Sequence, residues 1–241
     1  MMNEKLSPER PKNVLVIAAH PDDIEFSCSG TAAKWANEGS EVIFVLCTSG
    51  ESGSHDLEMP PEKLVPIRQS EQKCASEILG IKEVVFLDYP DGTMINSLEL
   101  RKEITKLIRK YRPDAVLTWD PSRRYSGTSY LNHPDHIVVG EACLAALMPA
   151  CDSPFIFPEL MAEGFEPFKV YDVYLFGVES PNVWIDISEM IEKKIQSIKC
   201  HKSQFGDWIN EMPDYVRSSA KSRGKDQGIP YAEAFRYFHL D

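Results

Sequence analysis

The sequence predicts an α/β fold with a mostly parallel central sheet and helices on both faces. Two observations lead there. Continuous apolar runs rich in β-branched residues recur along the chain, and segments of helical periodicity separate them. Strands apolar on both faces are strands covered on both faces, and a parallel pair needs a crossover, usually a helix. Repeated strand–helix units with right-handed crossovers build a Rossmann-like three-layer architecture.

Val14–His20, Glu41–Thr48, Glu83–Leu87 and Ala115–Trp119 are the expected first strands, each a short apolar run between turn residues. Between them, Gly30–Glu38, Glu62–Leu79 and Leu98–Tyr111 have helical character. The third is the clearest, with Leu100, Ile104, Leu107, Ile108 and Tyr111 on one face. Gly39, Gly80 and Arg112-Pro113 stop the three helices. A further helix is expected from His133 to about Met148. Residues 149–169 carry four prolines and little periodicity, which predicts an ordered loop at a rim or an oligomer contact. Val173–Val178 and Val183–Ile187 read as later strands. Ser188 reads as the N-cap of a helix Glu189–Lys202 with Ile191, Ile195 and Ile198 on its buried stripe. No repeat or linker divides the 241 residues, so one domain is expected, with residues 1–12 as a flexible leading segment.

Composition excludes several classes of function. A net charge of −11 and a pI near 5.1 argue against nucleic acid and against anionic membranes, both of which need a basic face. The longest apolar runs fall well short of the ~18 residues of a membrane span. The first ten residues are polar and lack the apolar stretch of a signal peptide. Six scattered cysteines without a C-x-x-C pair suggest reduced thiols, so a cytoplasmic location is expected.

Two short motifs carry the chemistry: Ala18-Ala-His-Pro-Asp-Asp-Ile-Glu25 and His133-Pro-Asp-His136. Open parallel sheets bind ligands beyond the carboxyl ends of their strands. His20-Pro-Asp-Asp follows the first strand, and Asp120 closes the fourth, whose loop leads to His133. Both motifs are therefore expected at one sheet edge. His133 and His136, three apart at a helix start, face the same way, and Pro134 suits the first helical position. Taken alone, each motif is an ordinary turn or helix cap. Together they supply what metal-assisted hydrolysis needs, namely three ligands with a position left open for water and an acid–base pair beside it. His20, Asp23 and His136 fill the ligand roles. Asp22 is then the expected general base, His133 the oxyanion stabiliser or acid, and Asp135 the group that orients His133. Zinc is the expected ion, although other divalent ions suit the same donors.

These motifs resemble the PIG-L/LmbE family of zinc-dependent N-acetylglucosaminyl deacetylases. Ala19 through Gly30 is similar to its A-H-P-D-D-x-E signature, with Ser29 where many members have the first Gly of a pair. His133–His136 is similar to its H-x-D-H signature. Gly50-Glu51, Arg68, Glu71, Leu79-Gly80 and Asp91-Gly92 follow the family succession between them. Val183–Ser188, His201-Lys-Ser-Gln204 and Tyr231-Ala-Glu-Ala-Phe235 are similar to its late signatures, so the resemblance spans residues 13–236. It implies zinc on His20, Asp23 and His136, with Asp22, His133 and Asp135 in the catalytic roles. It further implies that Arg68 and Asp91 bind substrate, that the substrate is an N-acetylated sugar, and that the chain assembles as a homo-oligomer, a trimer or a hexamer. The aromatic segment Phe235–Leu240 is a candidate contact for that assembly. Arg123, Arg124, Tyr125 and Tyr130 are expected near the substrate mouth.

Three other readings compete. A dinucleotide site would have glycines where this chain has His-Pro-Asp-Asp. Two histidines and a carboxylate also form the triad of non-haem iron enzymes, which are usually built on β-rich barrels. A metal-dependent amidase acting on a non-sugar amide would use the same residues.

Overall fold

The computed structural model describes residues 8–241. Part of the expected flexible leader, residues 1–7, lies outside the described residues. Residues 8–12 depart from that expectation because they are docked. Ser40 Oγ donates to the Pro11 carbonyl and accepts from Arg10, and the Lys12 amide donates to Asp114.

The sheet forms from β1 (Asn13–Ala18), β2 (Glu41–Thr48), β3 (Glu83–Tyr89), β4 (Ala115–Trp119), β7 (Asp172–Phe176), β8 (Val183–Asp186) and β9 (Ala232–His239). A small antiparallel hairpin, β5 (Tyr125–Ser126) and β6 (Tyr130–Leu131), stands apart from it. The strand order is β3-β2-β1-β4-β7-β9-β8. The first five strands in that order are parallel, and β9 runs antiparallel to both its neighbours. Order reverses between β1 and β4, so their carboxyl ends open a crevice where neighbouring crossovers diverge to opposite faces.

Alternation within the strands divides the core in two. Val14, Val16, Ala18, Phe44 and Leu117 face a layer holding α1 (Asp23–Ser27), α2 (Ser29–Asn37), α3 (Pro61–Leu79), α7 (Ile191–Ile198) and α9 (Met212–Gly224). Leu15, Ile17, Val45 and Val116 face α4 (Leu98–Tyr111) and α5 (Pro134–Ala145). Two short helices, α6 (Glu159–Ala162) and α8 (Lys202–Phe205), complete the set. In α4 the expected stripe is buried, Ser97 caps the start by accepting from the Leu100 amide, and Arg112 ends it with φ 47°.

Beyond residues 8–12, the secondary structure differs from the sequence reading in three further places. Ser188 does not cap a helix: its hydroxyl turns back to Asp186, α7 starts later at Ile191, and His201 separates it from α8. The aromatic segment, for which no strand was expected, forms most of β9, a sheet strand seated between β7 and β8. The helix α9 falls in a stretch where the sequence suggested no element.

Residues 149–169 are an ordered loop, and one side chain orders it. Arg109, buried on α4, reaches the carbonyls of Ala150, Cys151, Ser153, Ile156 and Phe165 at 2.7–3.4 Å. The Cys151 carbonyl also accepts the Phe168 amide at 2.8 Å, and hydrogen bonds to a charged donor are the stronger kind. Replacing Arg109 with Met should destabilise the fold by about 2–4 kcal/mol, since it strands several buried acceptors. Limited proteolysis of the variant should then cut first within residues 150–166, whereas uniform cutting along the chain would count against a clamp.

Candidate metal centre

The β1 strand stops at Ala18, and the chain turns out of the sheet through Ala19, His20, Pro21 and Asp22 before Asp23 opens α1. Asp22 takes φ 97°, a conformation that costs a residue with a Cβ about 1–3 kcal/mol. The turn is closed by Asp23, whose Oδ2 accepts the Ala19 amide at 3.0 Å, the His20 amide at 2.9 Å and the Trp119 indole N–H at 3.1 Å. With Oδ2 committed, Oδ1 is left facing His136 Nε2 at 3.0 Å.

The second motif arrives on α5. His133 caps this helix: its Nδ1 accepts the Asp135 amide at 3.2 Å, and Pro134 occupies the first helical position. His136 lies one turn further along. Its Nδ1 pairs with Asn132 Oδ1 at 2.9 Å, and its ring stacks on Trp119 with centroids 3.9 Å apart and planes 9° from parallel. These two contacts turn Nε2 inward, toward Asp23.

Both motifs therefore meet at one edge of the sheet. Ring nitrogens of His20, His133 and His136 lie within 4.8 Å of one another, and His20 Nδ1 is 3.5 Å from Asp23 Oδ2. A second group, sharing His20 and His133 and adding Asp91 and Asp135, is equally tight. His20 Nε2 sits 3.0 Å from Asp91 Oδ1 and 3.4 Å from Asp135 Oδ2 without a properly directed hydrogen bond to either. A buried imidazole nitrogen without a hydrogen-bond partner, surrounded by carboxylates, fits a cation site. The donors, imidazole nitrogens and carboxylate oxygens, suit zinc.

Electrostatics separate the two neighbouring aspartates. Burial raises the Asp22 carboxyl to about 6, with the Asp23 charge adding to the rise and Arg68 opposing it. Burial acts on Asp23 as well, but the His136 and His20 imidazoles outweigh it and hold that carboxyl well below the usual range. For His20, burial is overcome by the charge of Asp23 and by Asp135 and Asp91, so its pKa is high. His133 goes the other way, lowered by burial and by the His20 charge.

Several residues are placed differently from their expected roles. Asp135 was expected to orient His133, yet its Oδ2 is 4.0 Å from His133 Nδ1. The Asp135 backbone amide makes that contact, while its carboxylate accepts the Gly92 and Met94 amides. Arg68, expected at the sugar, is only 4% exposed and donates to the carbonyls of Gly50 and Pro21 and to Asp22 Oδ2. Asp91, expected beside it, faces His20 and accepts the Ser52 amide. Trp119 and Asn132 were not singled out from the sequence. A tryptophan ending a strand next to the switch point, and an asparagine just before His133, were the available signals.

A cavity of about 710 Å³ lies against Trp119, the residue stacked on His136, with Phe26, Arg123, Tyr130, Tyr215 and Arg223 among its other walls and none of the clustered histidines lining it. Arg123 lies over the Tyr130 ring and donates to the Gly177 carbonyl, while Arg124 turns to Glu141. A second cavity, about 680 Å³, lies around Asp120, Arg124, Tyr125 and Phe238 and touches none of the clustered histidines. Among the described residues no helix is long and apolar enough to cross a membrane.

Comparison with known proteins finds the same combination elsewhere. The chain is 36% identical over 227 residues to a diacetylchitobiose deacetylase of Thermococcus kodakarensis, covering 94% of this chain and 83% of the relative. It is 30% identical to a probable N-acetyl-alpha-D-glucosaminyl L-malate deacetylase of Bacillus anthracis, covering 83% and 85%. Among solved structures it is similar to the N,N'-diacetylchitobiose deacetylase of Pyrococcus horikoshii in complex with an inhibitor. That match has a TM-score of 0.87 and 32% identity, and covers 95% of this chain and 84% of the other. Residues 15–147, from β1 to the end of α5, match the family described as PIG-L, GlcNAc-PI de-N-acetylase, and with these relatives the chain belongs to the PIG-L family of LmbE-like proteins.

Proposed function

We propose that this protein is a zinc-dependent hydrolase that removes the N-acetyl group from a GlcNAc-type sugar or sugar conjugate. The observation that carries this reading is the convergence of His20, Asp23 and His136 at one sheet edge, with Asp22 next to Asp23 in the turn. In this reading the metal donors are one nitrogen from each histidine and Asp23 Oδ1, with His20, Asp23 and His136 buried and Asp23 and His136 braced by Trp119. Zinc held there supplies Lewis acidity, polarising the amide carbonyl and lowering the pKa of a water to about 7.

The chain's own residues supply the rest. Burial raises the Asp22 carboxyl, which makes it a better acceptor for a proton from the attacking water than a solvated aspartate would be. Its link to Arg68, 3.2 Å from Oδ2, keeps that carboxylate from swinging away. His133 accepts the Asp135 amide on Nδ1, so its Nε2–H can donate a hydrogen bond to the oxyanion, while the proton that Asp22 takes from the water passes to the departing amine. As the carbon–nitrogen bond breaks, acetate leaves and the sugar retains a free amine. Asp135 fixes the Gly92 and Met94 backbone and thereby the position of Asp91.

The substrate class rests on the relatives, whose names specify N-acetylated sugars. The cavity against Trp119 supports it, since its aromatic walls and hydrogen-bonding side chains suit a saccharide ring beyond the one that reacts. Six free cysteines fit a cytoplasmic setting, and exposed Phe155, Leu131 and Met148 offer apolar surface for a homo-oligomer.

The test joins metal analysis to amine release from N-acetylglucosamine, diacetylchitobiose and an N-acetylglucosaminyl malate. About one zinc per chain and free amine from at least one sugar are expected, and zinc with no amine from any of them would remove the deacetylase reading. Asp22→Asn should keep the metal and lower kcat by about 10²–10⁴-fold, because a general base acts only in the transition state. An Asp22→Asn enzyme with wild-type turnover would assign the base elsewhere. His20→Ala should lose zinc and activity together, and full zinc occupancy in that variant would contradict the ligand set.

A further inference from the structure

Beneath the proposed base runs a line of buried polar groups that the reaction itself does not use. The Asp22 amide donates to Gln72 Oε1 at 3.2 Å, and Gln72 Nε2 donates to Glu25 Oε1 at 2.8 Å. Glu25 Oε2 in turn lies 3.4 Å from His201 Nε2. Gln72, Glu25 and His201 are all fully buried. They come from α3, from α1 and from the His201-Lys-Ser-Gln204 motif before α8, so three distant segments converge under one backbone amide.

We infer that Gln72 is a positioning residue for Asp22, holding it in its left-handed conformation, and that Glu25 makes this hold one-directional. The inference rests on the reading of Asp22 as the base. A glutamine side chain presents an oxygen at one corner and an NH₂ at the other. A carboxylate accepts only, so Glu25 turns the NH₂ toward itself and leaves the oxygen for Asp22. The reversed amide would set oxygen against carboxylate and NH₂ against N–H. His201 faces the other Glu25 oxygen at ion-pair distance, without a directed hydrogen bond. Arg68 holds the side chain of Asp22, and Gln72 holds its backbone. Without Gln72 the strained residue relaxes, the carboxylate moves, and displacement of a reacting group by ~1 Å can cost about 10²-fold in rate.

The experiment compares Gln72→Met with Asp22→Asn and with the double variant. Gln72→Met should retain about one zinc per chain and a KM within about twofold, while kcat falls about 10–100-fold. In the Asp22→Asn background the same substitution should cost nothing further, because there is no carboxylate left to position. In the metal-free protein, hydrogen exchange at the Asp22 amide should speed up about tenfold or more, with exchange in β2 unchanged. A Gln72→Met kcat within about twofold of wild type, an equal loss in both backgrounds, or unaltered Asp22 exchange would each overturn the inference. If Asp22→Asn is inactive while Gln72→Met is fully active, only the positioning role fails. If Asp22→Asn is itself fully active, the base assignment fails first. Glu25→Gln, which keeps the shape and removes the bias on the Gln72 amide, should lower kcat in the same direction by a smaller factor. That variant decides the matter should Gln72→Met not fold, since an unchanged kcat in Glu25→Gln would also count against the inference.

Discussion

One carboxylate oxygen, Oδ2 of Asp23, accepts three N–H groups from two strands' ends: the Ala19 and His20 amides after β1 and the Trp119 indole at the end of β4. Each donor pulls the same oxygen toward the sheet, so the other oxygen has one direction left, outward to His136. Trp119 then presents its ring face to His136. The geometry of the candidate centre thus depends on a carboxylate used at both ends, structural on Oδ2 and free to bind on Oδ1. Removing its charge would loosen the turn and the pocket together.

A second set of charges anchors the helices behind that turn. Lys194 Nζ, on α7, donates to the carbonyls of Glu25 and Phe26 at the end of α1 and to Glu233. Glu233, on β9, accepts the Gly30 and Thr31 amides at the start of α2. The lysine meets a helix's carbonyl end and the glutamate a helix's amide end, the arrangement that backbone dipoles favour. Desolvating a lone charge here would be costly, and each ion has backbone partners besides its counter-ion. Paired in this way, the ions let the short α1 stay buried beside the proposed ligands.

Much of this was legible in the chain itself. The β2 and β4 strands and the α4 helix match their expected limits because period and punctuation agree there: apolar β-branched runs end at turn residues, and α4 has a serine cap and a strong stripe. His20, Asp23, His133 and His136 could be brought to one edge because a parallel sheet assigns strand ends to a common face. What stayed hidden depends on contacts between residues far apart in sequence. Asp22 and Gln72 are 50 positions apart, and Asp23 and Trp119 are 96 apart. No local pattern announces such a pair. Arg68 was assigned to substrate by the family resemblance, while the residue by itself reads as a solvated helical arginine, and only the packed structure reveals its three acceptors. The β9 strand was missed because its hydrophobic alternation is mixed with charge and its partners, β7 and β8, lie well before it in sequence.

The place of β9 sets an order of events during synthesis. Among the described residues the β8 strand pairs only with β9, and β9 is made more than 40 residues later. Until residues 232–239 leave the ribosome, β7 has an unpaired edge and Lys194 lacks its counter-ion. Exposed sheet edges invite pairing with other chains. The nascent chain therefore carries its interaction-prone edge for longest just when the turn bearing Asp22 and Asp23 already exists. Once made, β9 covers the β7 edge, pairs with β8 and brings Glu233 to Lys194, behind the turn that carries Asp22 and Asp23.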